Sequence, residues 1–269
     1  MHDFEYCRPG SVAEVLALLR DGVDAKLLAG GQSLLAAMKL GLMAPARLID
    51  LGGIAALRES REQGGRLQLG AMQTHRELAA SAALRAWVPG LATLAGHIAD
   101  AQVRAMGTVG GSVANADPAA CWPAGLLALD AGFVTDRREL AADDFFTGFF
   151  GTALAPDELL CGLGLRRPRR FAYLKIEQPA SRFALVGVAV AQLDDGAVRV
   201  AVSGTTQGVQ RLPAFEAALA RRFEPAALQG LRVDQDLMAG DLHAGSDYRA
   251  HLAAVLARRV VHQALEMAR

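Results

Sequence analysis

Two glycine pairs flanked by hydroxyl residues carry the chemistry this sequence offers. The first stands in Ala29-Gly30-Gly31-Gln32-Ser33 and the second in Thr108-Val109-Gly110-Gly111-Ser112. Each lies where a short apolar run meets a helix-like stretch. Glycine lets the chain turn so that N–H groups point into one concavity, and it lets a ligand come close to the backbone. Such a concavity, with Ser or Thr hydroxyls and a helix start beside it, suits an anion, phosphate above all. Either pair alone reads as a tight turn. Two of them, about eighty residues apart, point to a ligand with more than one phosphate held between two loops. The usual nucleotide signatures are missing: no G-x-G-x-x-G follows the first strand and no G-x-x-x-x-G-K-[ST] occurs. Gly162-Leu163-Gly164 comes nearest but runs into Arg166-Arg167-Pro168 without a third glycine. A dinucleotide bound here is bound outside a Rossmann unit.

The elements around the loops follow from local signals. Ser11-Val12-Ala13-Glu14 is a capping box, with Val12, Val15, Leu16 and Leu19 on one face and Gly22 at the end. Ala25 to Ala29 reads as a short buried strand, Ser33 as the N-cap of a helix over 34–40, and Leu48 to Leu51 as another strand. Residues 1–52 therefore form a small α/β unit carrying the first loop. Arg66 to Leu69 alternates like a half-buried strand, and Thr74 to Glu77 is a second capping box, with His75 beside the cap and exposed. A helical stretch over 84–103, broken around Pro89-Gly90, leads to the second loop. Helix over 118–129 and strands at Phe133-Val134 and Leu159 to Leu165 complete an α+β unit at 53–168. The basic run Arg166 to Arg170 reads as a solvated junction. In 169–269, a hairpin pairs Phe183 to Leu193 with Ala197 to Ser203 across Asp194-Asp195-Gly196. Helices follow at 213–222, 225–231 and 246–267, the last with a stripe of Leu252, Val255, Leu256, Val260 and Leu265.

Composition narrows the function. The chain has 269 residues, 52% hydrophobic, enough for two or three small domains. Lys plus Arg and Asp plus Glu are both 28, so a balanced surface gives no support for nucleic acid or an anionic membrane as partner. Cys7, Cys121 and Cys161 are far apart, no C-x-x-C occurs, and three thiols cannot build an iron–sulfur or zinc site unaided. Reduced cysteines, an acidic start without an apolar signal core and no run long enough to span a membrane predict a cytoplasmic protein. Among the remaining polar residues, His97 and Asp100 read as helix-end groups, Asp50 as a strand-end cap, and Phe145, Phe146, Phe149 and Phe150 as a packing or subunit-contact cluster.

The residues now on the page resemble the FAD-binding subunit of molybdenum hydroxylases, the medium chain of carbon monoxide dehydrogenase-type enzymes and the flavin domain of xanthine dehydrogenase. The resemblance rests on Ala29 to Leu34, Leu48 to Asp50, Gln102 to Ser112 and Asp117-Pro118-Ala119. It continues through Tyr173-Leu174-Lys175, Val186 to Ala189 and Asp247-Tyr248-Arg249, in order along the whole chain. It implies an α+β flavoprotein fold of the vanillyl-alcohol-oxidase type, with FAD between two α/β subdomains. A C-terminal three-stranded antiparallel sheet with a helical bundle completes it. By match, Leu28, Ala29, Gly30, Gly31, Gln32, Ser33 and Leu34 form the first pyrophosphate loop and Thr108, Gly110, Gly111 and Ser112 the second. Backbone N–H groups do most of the holding in both. Asp117, Leu160 and Lys175 complete the cofactor set, Lys175 near the flavin. Cys121 stands where the family usually has Asp, a weaker acceptor. Replacing Gly110 with Val is expected to abolish FAD retention in a folded protein.

The implied function is electron transfer through FAD, from the [2Fe–2S] clusters of a small subunit to NAD or another acceptor, while a large molybdopterin subunit oxidises the substrate. No residue is assigned a catalytic or metal-binding role. Two other readings remain at this point: a self-contained flavin oxidase of the same fold, and a scaffold or nucleotide-binding subunit without redox turnover.

Overall fold

The computed structural model describes residues 2–267. The chain opens with β1 (Glu5–Cys7), α1 (Val12–Arg20), β2 (Ala25–Leu28), α2 (Leu34–Lys39) and β3 (Arg47–Asp50). The strands form a parallel sheet ordered β1-β3-β2. Of the first expected capping box the Ser11 half forms: Ser11 accepts the Glu14 N–H, but the Glu14 carboxylate accepts the N–H of Gly10 at 2.9 Å, not that of Ser11. Val15, Ile49 and Leu51 fill a small core against the sheet. Arg47, only 7% exposed, is held by Glu5 and Asp21 and so ties β3 to β1 and to the end of α1.

A second sheet takes over at β4 (Ser60–Gln63) and β5 (Arg66–Gly70). Six helices follow: α3 (His75–Ala80), α4 (Ala82–Trp87), α5 (Pro89–Gly96), α6 (Ala101–Met106), α7 (Val109–Asn115) and α8 (Cys121–Ala128). The chain then runs through β6 (Gly132–Thr135), β7 (Glu139–Ala141), α9 (Ala142–Phe145), the hairpin β8 (Phe146–Gly148) and β9 (Gly151–Thr152), and β10 (Leu160–Leu165). The sheet order β4-β5-β10-β6-β7 is antiparallel throughout. The helical stretch expected over 84–103 is three helices. It breaks at Val88, before Pro89, and again at 97–100, where Ala99 has φ +43°. Every residue of α8 is buried. A helix apolar all round needs cover on all sides, and α8 finds it between α5 and the third sheet.

That sheet consists of β11 (Arg170–Glu177), β12 (Ala184–Gln192), β13 (Val198–Thr205) and β14 (Gly208–Arg211), all antiparallel. It has four strands where three were expected. The fourth, Gly-Val-Gln-Arg, is too short to display an alternation and pairs with β13 across a tight turn at Thr206-Gln207. Nor do the following helices form a bundle. A single 21-residue helix, α11 (Ser246–Glu266), lies on β11 and β12, beside α10 (Pro213–Arg221) and two 3-10 turns at Pro225–Leu228 and Gln235–Leu237. Leu256 and Val260 of the expected stripe are buried, but Leu252, Val255 and Leu265 are only half-buried. The contact face is largely Ala250, Ala253, Ala257 and Ala264, whose small side chains let the helix lie close to the strands. At the basic junction, Arg166, Arg167 and Arg169 are exposed, and Arg167 lies over the Trp87 ring at 5.7 Å.

The loop before β10 is pinned by Glu158, 4% exposed, which accepts from Arg138 at 2.8 and 2.7 Å and from the Ala155 N–H at 3.0 Å. The Arg138 guanidinium holds its carboxyl down at about 2, against an ordinary 4.5. Because the folded value is the lower one, this stabilisation is complete above the unfolded value and is lost as pH falls toward the folded one. Glu158→Gln is expected to lower stability by about 2 kcal/mol at pH 7. Urea denaturation at pH 7 and pH 3 should show the gap between wild type and variant shrinking at the lower pH.

Candidate cofactor site

The first loop leaves the C-terminal end of β2, where Leu28 lies opposite Asp50 at the end of β3. The carboxyl ends of parallel strands are where ligands bind in such sheets. Asp50 does what a strand-end cap does, accepting the Gly52 N–H at 2.7 Å and the Tyr6 hydroxyl at 2.5 Å. Between Leu28 and α2 the chain turns at Gly31, whose φ of +70° is a conformation that side chains resist. Among the described residues, no acceptor of the chain takes the N–H groups of Gly30, Gly31, Gln32, Ser33 or Leu34. Ser33 stands at the expected N-cap position of α2 but does not cap it with its side chain. It already has helical angles, φ −108° and ψ −51°, and its hydroxyl makes no cap bond. The loop therefore offers a row of unspent donors and a free hydroxyl.

The second loop is built differently. Thr108 caps α7, its Oγ1 accepting the Gly111 N–H at 3.1 Å. The Val109 N–H donates to Gln73 O, that of Gly110 to Ala71 O at 2.8 Å, and that of Ser112 to Thr108 O. The expectation that backbone N–H groups of this loop do the holding is thus corrected for 109–112, because the fold has already used them. Thr108 is 3% exposed with its hydroxyl capping α7, so what the loop presents instead is the half-buried Ser112 and a smooth glycine surface. Its glycines serve close packing. A Cβ on Gly30 would lie 2.2 Å from Met106 O, and one on Gly111 would lie 3.3 Å from the Ala29 Cβ. The first loop therefore packs against the turn just before the second at Gly30, and against the second itself where Ala29 meets Gly111.

His75 sits behind this junction and is 4% exposed, not solvent-facing as its place in the capping box suggests. The Trp122 indole N–H donates to its Nδ1 at 3.0 Å. Burial, with the Arg104 charge second, pushes its pKa down to about 4. Leu160, 5% exposed, belongs to the large core under the second sheet. It stands a layer behind the loops: the next residue, Cys161, accepts the Ala71 N–H, and Ala71 O accepts that of Gly110.

The third side comes from the segment before α8 and from β11. Asp117 accepts the Ala119 N–H at 2.8 Å, and burial raises its pKa. Cys121 begins α8, with its thiol pushed up by burial. The buried Tyr173 hydroxyl lies against it and against Ser203 without a well-formed hydrogen bond to either. Lys175, with a side chain 7% exposed, donates to Arg182 O at 2.5 Å and pairs with Glu177 at 3.4 Å, so its ammonium is already engaged. The first turn of α8 links this side to the loops, since Cys121 faces Tyr173 while Trp122 reaches His75.

Other candidates lie elsewhere. Asp100 caps α6 through the Val103 N–H at 2.8 Å, and His97 forms no pair with it. Phe145 stacks on Phe133 at 3.9 Å in the core, while Phe149 and Phe150 are exposed. Among the described residues no group of His, Cys, Asp and Glu could hold a metal, and no helix is long and apolar enough to cross a membrane. Ala71 and Trp122 carry site geometry without any motif of their own, whereas Met106 and Tyr173 lie inside stretches that carry the resemblance. His75 had a signal of its own, its place inside a capping box.

A row of backbone donors and a loop contact that tolerates no side chain fit the diphosphate of a dinucleotide. Residues 2–165 match the family described as the FAD binding domain in molybdopterin dehydrogenase. The chain is 35% identical to the carbon monoxide dehydrogenase medium chain of Hydrogenophaga pseudoflava, over 97% of this chain and 96% of that one. It is 34% identical to the nicotine 6-hydroxylase medium subunit of Paenarthrobacter nicotinovorans, over 96% of each. The solved carbon monoxide dehydrogenase of Hydrogenophaga pseudoflava superposes with a TM-score of 0.90, covering 99% of this chain and 98% of that one. This chain belongs to the family of FAD-binding domains of molybdopterin dehydrogenases. It is an oxidoreductase subunit of the molybdenum hydroxylase class, and its cofactor is FAD.

Gly110 tests the packing role of the second loop. A Cβ there would lie 2.5 Å from the Ala71 Cβ and 2.6 Å from its carbonyl oxygen. Contrary to the expectation from sequence, a substitution at this position strains the fold itself. Gly110→Ala is expected to cost about 1–3 kcal/mol, read as a lower melting temperature of the FAD-free chain.

Proposed function

We propose that this chain is the FAD-containing electron-transfer subunit of a three-subunit molybdenum hydroxylase. In this reading a small subunit with [2Fe–2S] clusters supplies electrons, a large molybdopterin subunit oxidises the substrate, and NAD or another external acceptor takes the electrons away. The complex works in the cytoplasm, in keeping with three free cysteines. FAD supplies exchange between one-electron and two-electron steps, and the protein supplies position and electrostatics. FAD lies between the unit of residues 1–52 and that of 53–168, in the manner of the vanillyl-alcohol-oxidase fold, and residues 169–269 close the third side.

The observation that carries this reading is the unspent N–H row of Gly30 to Leu34, on a loop packed against the Met106-Gly107 turn that leads into the second glycine pair. Leu28 and Ala29 aim the first loop, Gln32 braces it by donating to Gly30 O at 3.2 Å, and Ser33 adds its hydroxyl. Gly110 and Gly111 keep the second loop against Ala71 and Ala29. Oriented peptide dipoles attract a diphosphate without a full positive charge. Asp117 and Lys175 border the far end, where Lys175 places a cation near the ring system. Leu160 acts from behind, through the backbone that supports Gly110.

Gly31 separates charge from shape. Asn and Asp both tolerate a left-handed backbone, but only Asp brings a carboxylate into the donor row. Gly31→Asn should retain FAD with affinity weakened about tenfold, whereas Gly31→Asp should lose FAD altogether. Released flavin per chain, measured by absorbance after denaturation, decides the matter, and equal FAD content in the two variants would sink the assignment. Co-purification of the full chain with iron–sulfur and molybdopterin subunits from its own cells tests the assembly.

A further inference from the structure

The second glycine loop has its shape set from behind by one side chain. His75 holds the turn that precedes the loop by one backbone bond and one contact of its ring. Its backbone N–H donates to Gly107 O at 2.9 Å. Its ring closes the space over Gly107, where a Cβ would lie 2.8 Å from Nε2. Thr74, next to it, bridges Thr108 across the turn. The ring is itself fixed from the other side, because Trp122 is fully buried and donates its indole N–H to Nδ1 at 3.0 Å. Nδ1 must be an unprotonated acceptor for that bond to exist, so the ring is neutral with its proton on Nε2.

This arrangement does more than fill the core. The turn that His75 clamps is the one against which Gly30 rests, with Met106 O and the Gly107 Cα inside the volume that a Cβ on Gly30 would take. Displacing Met106-Gly107 by a few tenths of an ångström would therefore shift the seat on which Gly30 rests, and with it the donor row that Gly30 begins. We infer that His75 is a positioning residue of the FAD site, held by Trp122 in the one protonation state that lets Met106-Gly107 seat against Gly30. The inference rests on the two-loop reading of the site.

The surroundings keep the ring neutral. From α6 comes the Arg104 guanidinium, from α8 the indole of Trp122, and α5 contains no charged residue. On its own helix, Glu77 is occupied by Thr74 and Arg58. The folded pKa lies below the ordinary value of 6.5. Acid therefore favours states in which the ring has left its seat, beginning as pH falls through 6.5 and before the seated ring itself titrates.

The test uses the full chain, FAD as ligand, and His75→Gln, whose side chain is neutral at every pH and still offers Trp122 an acceptor. FAD dissociation constants are measured by flavin fluorescence at pH 7.5 and pH 5.5. Wild type should weaken by up to about tenfold between the two. His75→Gln should start about tenfold weaker at pH 7.5 and show no further loss. Trp122→Phe, which removes the donor to Nδ1, should weaken binding and keep a pH dependence, and it serves if His75→Gln fails to fold. FAD binding by His75→Gln with wild-type affinity and the wild-type pH profile overturns the inference. Gly31→Asp, run alongside, distinguishes the two failures. If it loses FAD while the His75 variant does not, only the role of His75 is wrong; if it binds FAD normally, the two-loop site is wrong.

Discussion

The structure depends on a contact with no side chain in it. Gly30 lies so close to the Met106 carbonyl and the Gly107 Cα that any Cβ would have to occupy their space. This backbone seam joins the three-stranded parallel sheet to the helices of the five-stranded one. It adds little apolar burial of its own, so its position has to be enforced from outside. From one side it is set by β2, which delivers the first loop at its carboxyl end. From the other it is set by a stack of backbone bonds in which Gly110 donates to Ala71 and Ala71 to Cys161, over a core that includes Leu67, Leu69, Leu94 and Phe133.

The two loops look alike in sequence and divide the work unevenly. In the second, the donors of residues 109–112 are consumed by the fold, which makes that loop a fixed wall. In the first, the donors remain unspent. An anion held by peptide dipoles needs no lysine or arginine inside the loops, and neither loop contains one. The fixed charges lie at the margin, where Lys175 is already tied to Arg182 and Glu177.

Much of this was legible in the sequence, and the exceptions have physical causes. The helix caps at Ser11 and Thr74, the glycine pairs and the β12–β13 hairpin announce themselves because each rests on contacts within a few residues. The fourth strand of the last sheet did not, since Gly208 to Arg211 derives its strand character from β13 and not from its own pattern. His75 was misjudged for the same kind of reason. The cap at Thr74 says that a helix starts there but nothing of Trp122, forty-seven positions away, which buries the ring. The inequality of the two loops was equally hidden, because it turns on where Gln73 and Ala71 place their carbonyls. Local chemistry was readable; the long-range partners that spend or spare a donor were not.

The wholly buried helix α8 has a consequence for how the molecule is made. Its cover includes β12 and β13, and the segment just before it is stitched to the same sheet, Pro118 O accepting the Gly204 N–H and Ala119 O that of Ala184. Those strands lie some sixty to eighty residues further along the chain. During synthesis at about 5–20 residues per second, α8 therefore emerges seconds before the strands that will shield it. For that interval a fully apolar helix has one flank bare, and its burial is completed only when β12 and β13 have been made.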